Sequence, residues 1–217
     1  MKKHLCALFD LDGVVVDTAK YHYLAWREIA SKFDYDLTEK DNEQLKGVSR
    51  IESLKLILEW ANVSLEKEKF NLLLAEKNNT YLGYIETLGP EEILPGIKEG
   101  LLQLQENKIK IGLGSASKNA KIILDKLELT SFFGAIIDGN QVEKGKPNPE
   151  IFLKGAAALQ VAPEKCVVFE DSVVGIQAAK AAKMTAVALG IPDSFSQYDY
   201  CYTDFTPLTA NGLAQLF

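Results

Sequence analysis

Phe9-Asp10-Leu11-Asp12-Gly13 ends a short apolar run, Leu5-Cys6-Ala7-Leu8-Phe9, that charge bounds on both sides. Such a run reads as a buried parallel strand. In an extended chain, side chains two residues apart point the same way, so Asp10 and Asp12 share a face. Gly13 follows where the chain must turn. Ligands of open α/β sheets bind beyond the carboxyl ends of the strands. Two acids therefore stand where a site is expected. Acids beside a glycine also serve as turn formers or caps, so the meaning of this pair depends on the rest of the chain.

Outward from this strand, the chain turns to helical patterns. Asp17 or Thr18 can cap a helix carrying apolar residues at Tyr21, Leu24, Ala25, Ile29 and Phe33. His22 and Trp26, one turn apart, share one of its faces. A polar stretch, Asp34 to Glu43, leads to Leu45-Lys46-Gly47-Val48-Ser49-Arg50, a loop with backbone N–H groups beside a cation. Such a loop can hold an oxyanion. Ile51 to Ala61, with Ser53 in its first turn, and Leu65 to Ile85, with Lys77, read as two further helices. Gly89, Pro90, Pro95 and Gly96 punctuate the end of this all-helical span. Residues 17–87 are therefore expected as a helical cap domain inserted into an α/β core formed by 1–16 and 88–217.

Strand–helix alternation resumes at Ile97. A strand ending near Gly114 runs into Ser115-Ala116-Ser117-Lys118-Asn119, which opens a helix. Free N–H groups and the helix dipole make such a start a natural anion site, as well as an ordinary N-cap. Gly134 to Asp138 reads as a short strand, and Lys144 to Pro149 as a stiff basic loop containing Lys146. Cys166 to Phe169 is a strong strand ending in Glu170-Asp171-Ser172, followed by a helix, a strand from Thr185, and a tail expected to close as a helix. The fold class is α/β: a Rossmann-like parallel sheet core with an inserted helical cap.

Composition narrows the function. The 217 residues carry a formal net charge of −6 and 47% hydrophobic residues. No Lys/Arg block suggests a nucleic-acid binder. The apolar run after Met1-Lys2-Lys3-His4 is too short for a signal peptide or membrane span. Cys6, Cys166 and Cys201 lack metal-ligand spacing and read as free thiols of a reducing compartment. A cytoplasmic protein is expected. No heptad seam suggests a dimer, so a monomer is expected. No Gly-x-Gly-x-x-Gly turn follows the first strand, which argues against a dinucleotide-binding oxidoreductase.

A parallel sheet would bring Asp10, Asp12, Ser115, Ser117, Lys146, Glu170 and Asp171 to one edge. Four carboxylates in one cleft repel unless some are protonated or a cation binds. A hard oxygen set with room for water suits Mg²⁺, the expected cofactor, above all when phosphate completes its shell.

The ordered set Asp10-Leu11-Asp12-Gly13, Ser115, Lys146 and Glu170-Asp171, spread over nearly the whole chain, resembles the haloacid dehalogenase superfamily of phosphotransferases. The helical insertion resembles that superfamily's type 1 cap. With His22, Trp26 and the Leu45–Arg50 loop, the likeness is nearest to phosphomutases that interconvert β-glucose 1-phosphate and β-glucose 6-phosphate through β-glucose 1,6-bisphosphate. The resemblance implies that Asp10 is the nucleophile and Asp12 the general acid/base, with Ser115 and Lys146 clamping the transferring phosphoryl group. It implies that Asp10, Asp12 through its backbone carbonyl, Glu170 and Asp171 hold Mg²⁺. It implies substrate contacts from Thr18, His22, Trp26, Gly47, Val48, Ser49, Arg50, Ser53, Lys77, Ala116, Ser117, Lys118 and Asn119. A sugar-phosphate phosphatase on the same scaffold would share the acids and differ at the cap. The intact acids argue against a catalytically silent binding module.

Overall fold

The computed structural model describes residues 4–217, so the basic start Met1-Lys2-Lys3 lies outside the described residues. Six strands form one sheet: β1 (Cys6–Phe9), β2 (Lys110–Gly114), β3 (Ala135–Ile137), β4 (Cys166–Glu170), β5 (Thr185–Leu189) and β6 (Tyr200–Tyr202). Their order is β3-β2-β1-β4-β5-β6, and every pair is parallel. The strand order reverses between β1 and β4, which is where an open α/β sheet builds its ligand crevice. Asp10 leaves the end of β1 while Phe9 pairs with Phe169 of β4, so Asp10 and Glu170 emerge side by side.

Four helices follow β1 within residues 17–87: α1 (Ala19–Ser31), α2 (Glu39–Glu43), α3 (Arg50–Trp60) and α4 (Lys67–Tyr84). Those in the rest of the chain are α5 (Ile97–Glu106), α6 (Ala120–Lys126), α7 (Glu150–Ala158), α8 (Val173–Ala181) and α9 (Leu213–Leu216). Alternation in β1 splits the main core. Ala7 and Phe9 pack on the side of α5, α6 and the C-terminal turns, whereas Cys6 and Leu8 pack on the side of α7 and α8. Phe9 stacks on Phe169 with ring centroids 4.8 Å apart. A separate apolar cluster, with Trp26, Ile29, Leu37, Leu54, Ile57 and Leu73 at its heart, holds α1, α3 and α4 together, and Leu37 and Leu45 on either side of α2 join it. The two chain crossings between these parts run together: Leu94 N donates to Val15 O at 3.0 Å, and Val16 bridges Ile93.

Three local readings change. The polar stretch Asp34–Glu43 contains α2, closed by a capping box in which Thr38 Oγ1 accepts from Asp41 N while Asp41 accepts from Thr38 N. β6 is a strand that the sequence reading lacked, and the tail behind it closes as a helix, α9, after a π-helical turn, Leu208–Gly212. Leu24 stands on the exposed face of α1, where Trp26 takes the buried place. Cys6 and Cys166 pair in register as buried free thiols, and Cys201 is half-buried. No helix of the described residues is long and apolar enough to cross a membrane.

Candidate active site

The strand ends gather a carboxylate cluster. Ligand oxygens of Asp10, Glu170 and Asp171 all lie within 4.8 Å of one another. Lys146 Nζ, buried, donates to Asp10 Oδ1 at 2.6 Å and to Glu170 Oε1 at 2.5 Å. The other Glu170 oxygen accepts from Ser172 N at 2.7 Å and Ser172 Oγ at 2.8 Å. Ser172 is also the N-cap of α8, accepting from Gly175 N at 3.1 Å. A fully buried Glu170 is thus supplied with donors on both oxygens, the condition under which a buried charge is tolerated. Ser115 is buried and its Oγ accepts from Ser117 N at 3.1 Å, which folds the start of the β2–α6 loop.

Electrostatics mark these acids as short of positive charge. Burial, then Glu170 and Asp12, push Asp10 up to about 7 against the pull of Lys146. Burial pushes Asp12 up to about 6, with Lys77 and Lys146 opposing. Burial, Glu170 and Asp10 hold Asp171 well above the usual carboxylate range. Burial works against the Lys146 ammonium, but Asp10 and Glu170 override it and raise that group. One lysine cannot neutralise three neighbouring acids. Hard oxygen donors, tightly grouped and under-neutralised, fit a divalent cation.

Gly13 lets these parts meet. Its φ of +81° is a left-handed conformation that glycine takes without strain. A Cβ there would also run into the Asp171 carboxylate. Gly47, with φ +71°, brings the Leu45–Arg50 loop against Ser172 in the same way.

Above the acids, the helical segment closes a cavity. Asp10, Asp12, Asp171, Ala116, Ser117 and Lys118 face His22, Trp26, Gly47, Val48, Arg50, Ser53 and Lys77 across it. Ala19, Asn42, Leu45 and Lys46 also line it. Lys77 is 1% exposed, buried rather than on a solvated helix face. Its Nζ lies 2.8 Å from His22 Nδ1 and 4.8 and 4.7 Å from the Trp26 and Tyr81 ring centroids. Burial and Arg50 lower Lys77 to about 7, with Asp12 opposing. Burial, Lys77 and Arg50 hold His22 well below its ordinary value. With Nδ1 accepting from Lys77, the neutral ring carries its proton on Nε2, which points to Asp12 Oδ1 at 3.9 Å. Neither His22 Nε2 nor the buried Tyr81 hydroxyl has a hydrogen-bond partner among the described residues.

Several expected residues sit elsewhere. Thr18 is fully buried and its hydroxyl donates to Asp12 Oδ1, so it touches the acid instead of facing the cavity. Ser49 caps α3, accepting from Glu52 N at 3.3 Å, and with Arg50, Lys118 and Lys146 lines an adjoining cleft. Asn119 turns toward α4, where its Nδ2 donates to Asn78 Oδ1 at 2.9 Å. Glu170 and Ser115 are buried outside the lining. Sequence reasoning passed over Tyr81, Asn42 and Lys46. Tyr81 is one turn beyond Lys77 on α4, so the helical period already put it on the same face. The Thr38-x-x-Asp41 pattern marked α2, and with it Asn42.

The sequence matches the family model described as haloacid dehalogenase-like hydrolase over residues 5–183. It is 47% identical over 188 residues to a β-phosphoglucomutase of Bacillus subtilis, covering 84% of this chain and 82% of that protein. A crystal structure of β-phosphoglucomutase from Clostridium difficile superposes with a TM-score of 0.95 at 40% identity, covering 98% of this chain and 96% of that one. A phosphorylated carbohydrates phosphatase of Thermotoga maritima is 33% identical over 177 residues, covering 81% of this chain and 80% of that protein.

Proposed function

The chain belongs to the haloacid dehalogenase-like hydrolase family, and from that premise we propose that it is a β-phosphoglucomutase. It interconverts β-D-glucose 1-phosphate and β-D-glucose 6-phosphate through β-glucose 1,6-bisphosphate and an aspartyl-phosphate enzyme. One observation carries the reading: a single cavity sets Asp10, Asp12 and Asp171 opposite His22, Arg50 and Lys77. The likeness to two proteins named β-phosphoglucomutase supports it. In this reading residues 17–87 are the cap and the remainder the catalytic core.

The chemistry follows from the residues. An Asp10 carboxylate oxygen attacks phosphorus of the bisphosphate, the phosphorus–sugar oxygen bond breaks, and Asp12 gives its proton to the departing oxygen. In the return half-reaction Asp12 takes the proton of the attacking sugar hydroxyl. A proton-transfer group so placed is typically worth about 10²–10⁴-fold. Asp12, raised to about 6, can hold or release a proton near neutrality. Thr18 donates to it and fixes its direction, while His22 Nε2 stands 3.9 Å away with a free proton. Lys146 and Ser115 clamp the phosphoryl oxygens, Lys146 with positive charge and Ser115 with its hydroxyl. Asp10, Glu170, Asp171 and the Asp12 backbone carbonyl would hold Mg²⁺, which offsets the repulsion between carboxylate and phosphate. Arg50, Ser117 and Lys118 grip the phosphate that is not transferred. The helical segment keeps water from the aspartyl phosphate so that sugar is the acceptor. The reading carries with it a monomer working in the cytoplasm.

The test is incubation with β-glucose 1-phosphate, Mg²⁺ and a trace of bisphosphate. Glucose 6-phosphate is the expected product. Inorganic phosphate without glucose 6-phosphate would replace this reading with that of a sugar-phosphate phosphatase, the activity named for the Thermotoga relative.

A further inference from the structure

We propose that Asn78 is a positioning residue whose side chain clasps α4 to the Ser115–Asn119 loop and thereby steers the phosphoryl group to sugar instead of water. The proposal rests on the phosphomutase reading above. Asn119 Nδ2 donates to Asn78 Oδ1 at 2.9 Å, joining the helical segment to the phosphate-side loop. Asn119 is 7% exposed, and its backbone N–H is tied to Ser117 Oγ at 3.2 Å. Its amide is therefore held in a loop that cannot turn freely, and it faces the helix, not the cavity.

A second bond gives the first its meaning. Lys126 Nζ, at the far end of α6, donates to Glu86 O just past the end of α4, at 2.7 Å. Asn78 meets the start of α6 and Glu86 its end, so the two segments run in the same direction. At about 1.5 Å per helical residue the two bonds lie on the order of 10 Å apart. Glu86 adjoins the second chain crossing, where Leu94 is bonded to Val15, and so belongs to the pivot. Asn78 lies about two turns of helix from that pivot, at the end that would swing in a closure. Lys77, its neighbour, reaches the other way into the cavity and meets His22 at 2.8 Å. Breaking the clasp frees the turn that holds Lys77 against His22 and lets water in. The competing step is then hydrolysis: water oxygen bonds to phosphorus, the aspartyl oxygen–phosphorus bond breaks, Asp10 leaves as carboxylate, and the water's proton passes to Asp12.

The experiment measures glucose 6-phosphate formed and inorganic phosphate released by wild type, Asn78→Ala, Asn119→Ala, the double variant and Asn78→Asp. Asn78→Ala is expected to lower the transfer rate about fivefold, the worth of one neutral hydrogen bond, and to raise phosphate released per glucose 6-phosphate several-fold. A merely destabilised protein would lose active molecules but keep that ratio. The double variant should match Asn119→Ala, because one bond is lost once. Asn78→Asp keeps the acceptor and should restore the wild-type ratio. An unchanged ratio in Asn78→Ala, or multiplying effects in the double variant, overturns the proposal. Amide hydrogen exchange of the free protein provides a readout independent of substrate, with faster exchange expected around Lys77–Leu82 in Asn78→Ala. If wild type makes no glucose 6-phosphate, the phosphomutase reading fails while the exchange result still decides the clasp.

Discussion

Replacing Asp10 by asparagine should make the metal-free protein more stable, and more so as pH rises. Asp10 is almost fully buried beside Glu170 and Asp171, and is raised from 3.8 to about 7. An acid raised on folding binds more protons in the folded than in the unfolded chain between those values, so stability falls as pH climbs through that window. At about 1.36 kcal/mol per pH unit, ionising Asp10 costs the folded state about 4 kcal/mol at pH 8 but only about 1 kcal/mol at pH 4.5. The amide introduced by Asp10→Asn cannot ionise, and its oxygen can still accept from Lys146, which keeps Glu170 as a partner. The advantage of Asp10→Asn should therefore grow by about 3 kcal/mol from pH 4.5 to pH 8. For a chain of this size that is a widening of the Tm gap by roughly 6–12 °C. The assay is thermal and urea unfolding of both proteins in chelator across that range; acids outside the cluster cancel, and Asp171, relieved of the Asp10 charge, moves the gap in the same direction. Adding Mg²⁺ at pH 8 should stabilise wild type far more than Asp10→Asn, since the carboxylate gains a counter-charge that the amide cannot exploit. A gap that stays flat or narrows with rising pH would refute the assignment of Asp10 to an under-neutralised, desolvated cluster.

Arg50→Ala should cut kcat/KM for β-glucose 1-phosphate about 10–100-fold, the worth of a charge-assisted hydrogen bond, and reduce hydrolysis of a small phosphoryl donor far less; equal losses would mean that Arg50 serves folding or placement of the helical segment. Lys77→Met keeps the stem against Trp26 and Tyr81 but removes a charge that holds Asp12 down. The acidic limb of the pH–rate profile should therefore move to higher pH, and a limb that stays put would sink this coupling. Gly13→Ala adds about 1–2 kcal/mol of left-handed strain and sets a methyl group against the Asp171 carboxylate; calorimetry should show weaker Mg²⁺ binding, and unchanged affinity would contradict the geometry. Tyr81→Phe removes a buried hydroxyl that lacks a partner among the described residues, so Tm should rise by about 2–12 °C, and a fall would mean the hydroxyl is bonded in solution.

The sequence by itself determined the parallel sheet and which acids meet at its edge. Apolar runs of four or five residues ending in Asp10, Ser115 and Glu170 are local signals, and sheet architecture sends all such ends to one side. The helical insertion was legible because three long periodic helices interrupt the alternation. Short elements were not: α2 and β6 have too few residues for a period to show. Lys77 could be read either as solvated or as buried, since a lone lysine on a helix carries no sign of what packs over it. Only the tertiary structure decided that its ammonium lies between His22, Trp26 and Tyr81. Only tertiary structure turned Thr18 onto Asp12 and Asn119 onto Asn78, since these contacts depend on how α1 and α4 sit over the sheet. It also decided that Lys146 faces both Asp10 and Glu170, partners 136 and 24 residues away. Spacing along a chain fixes which way a side chain leaves its own helix or strand. Its partner across a cavity is fixed by packing between elements, and that is a property of the whole fold.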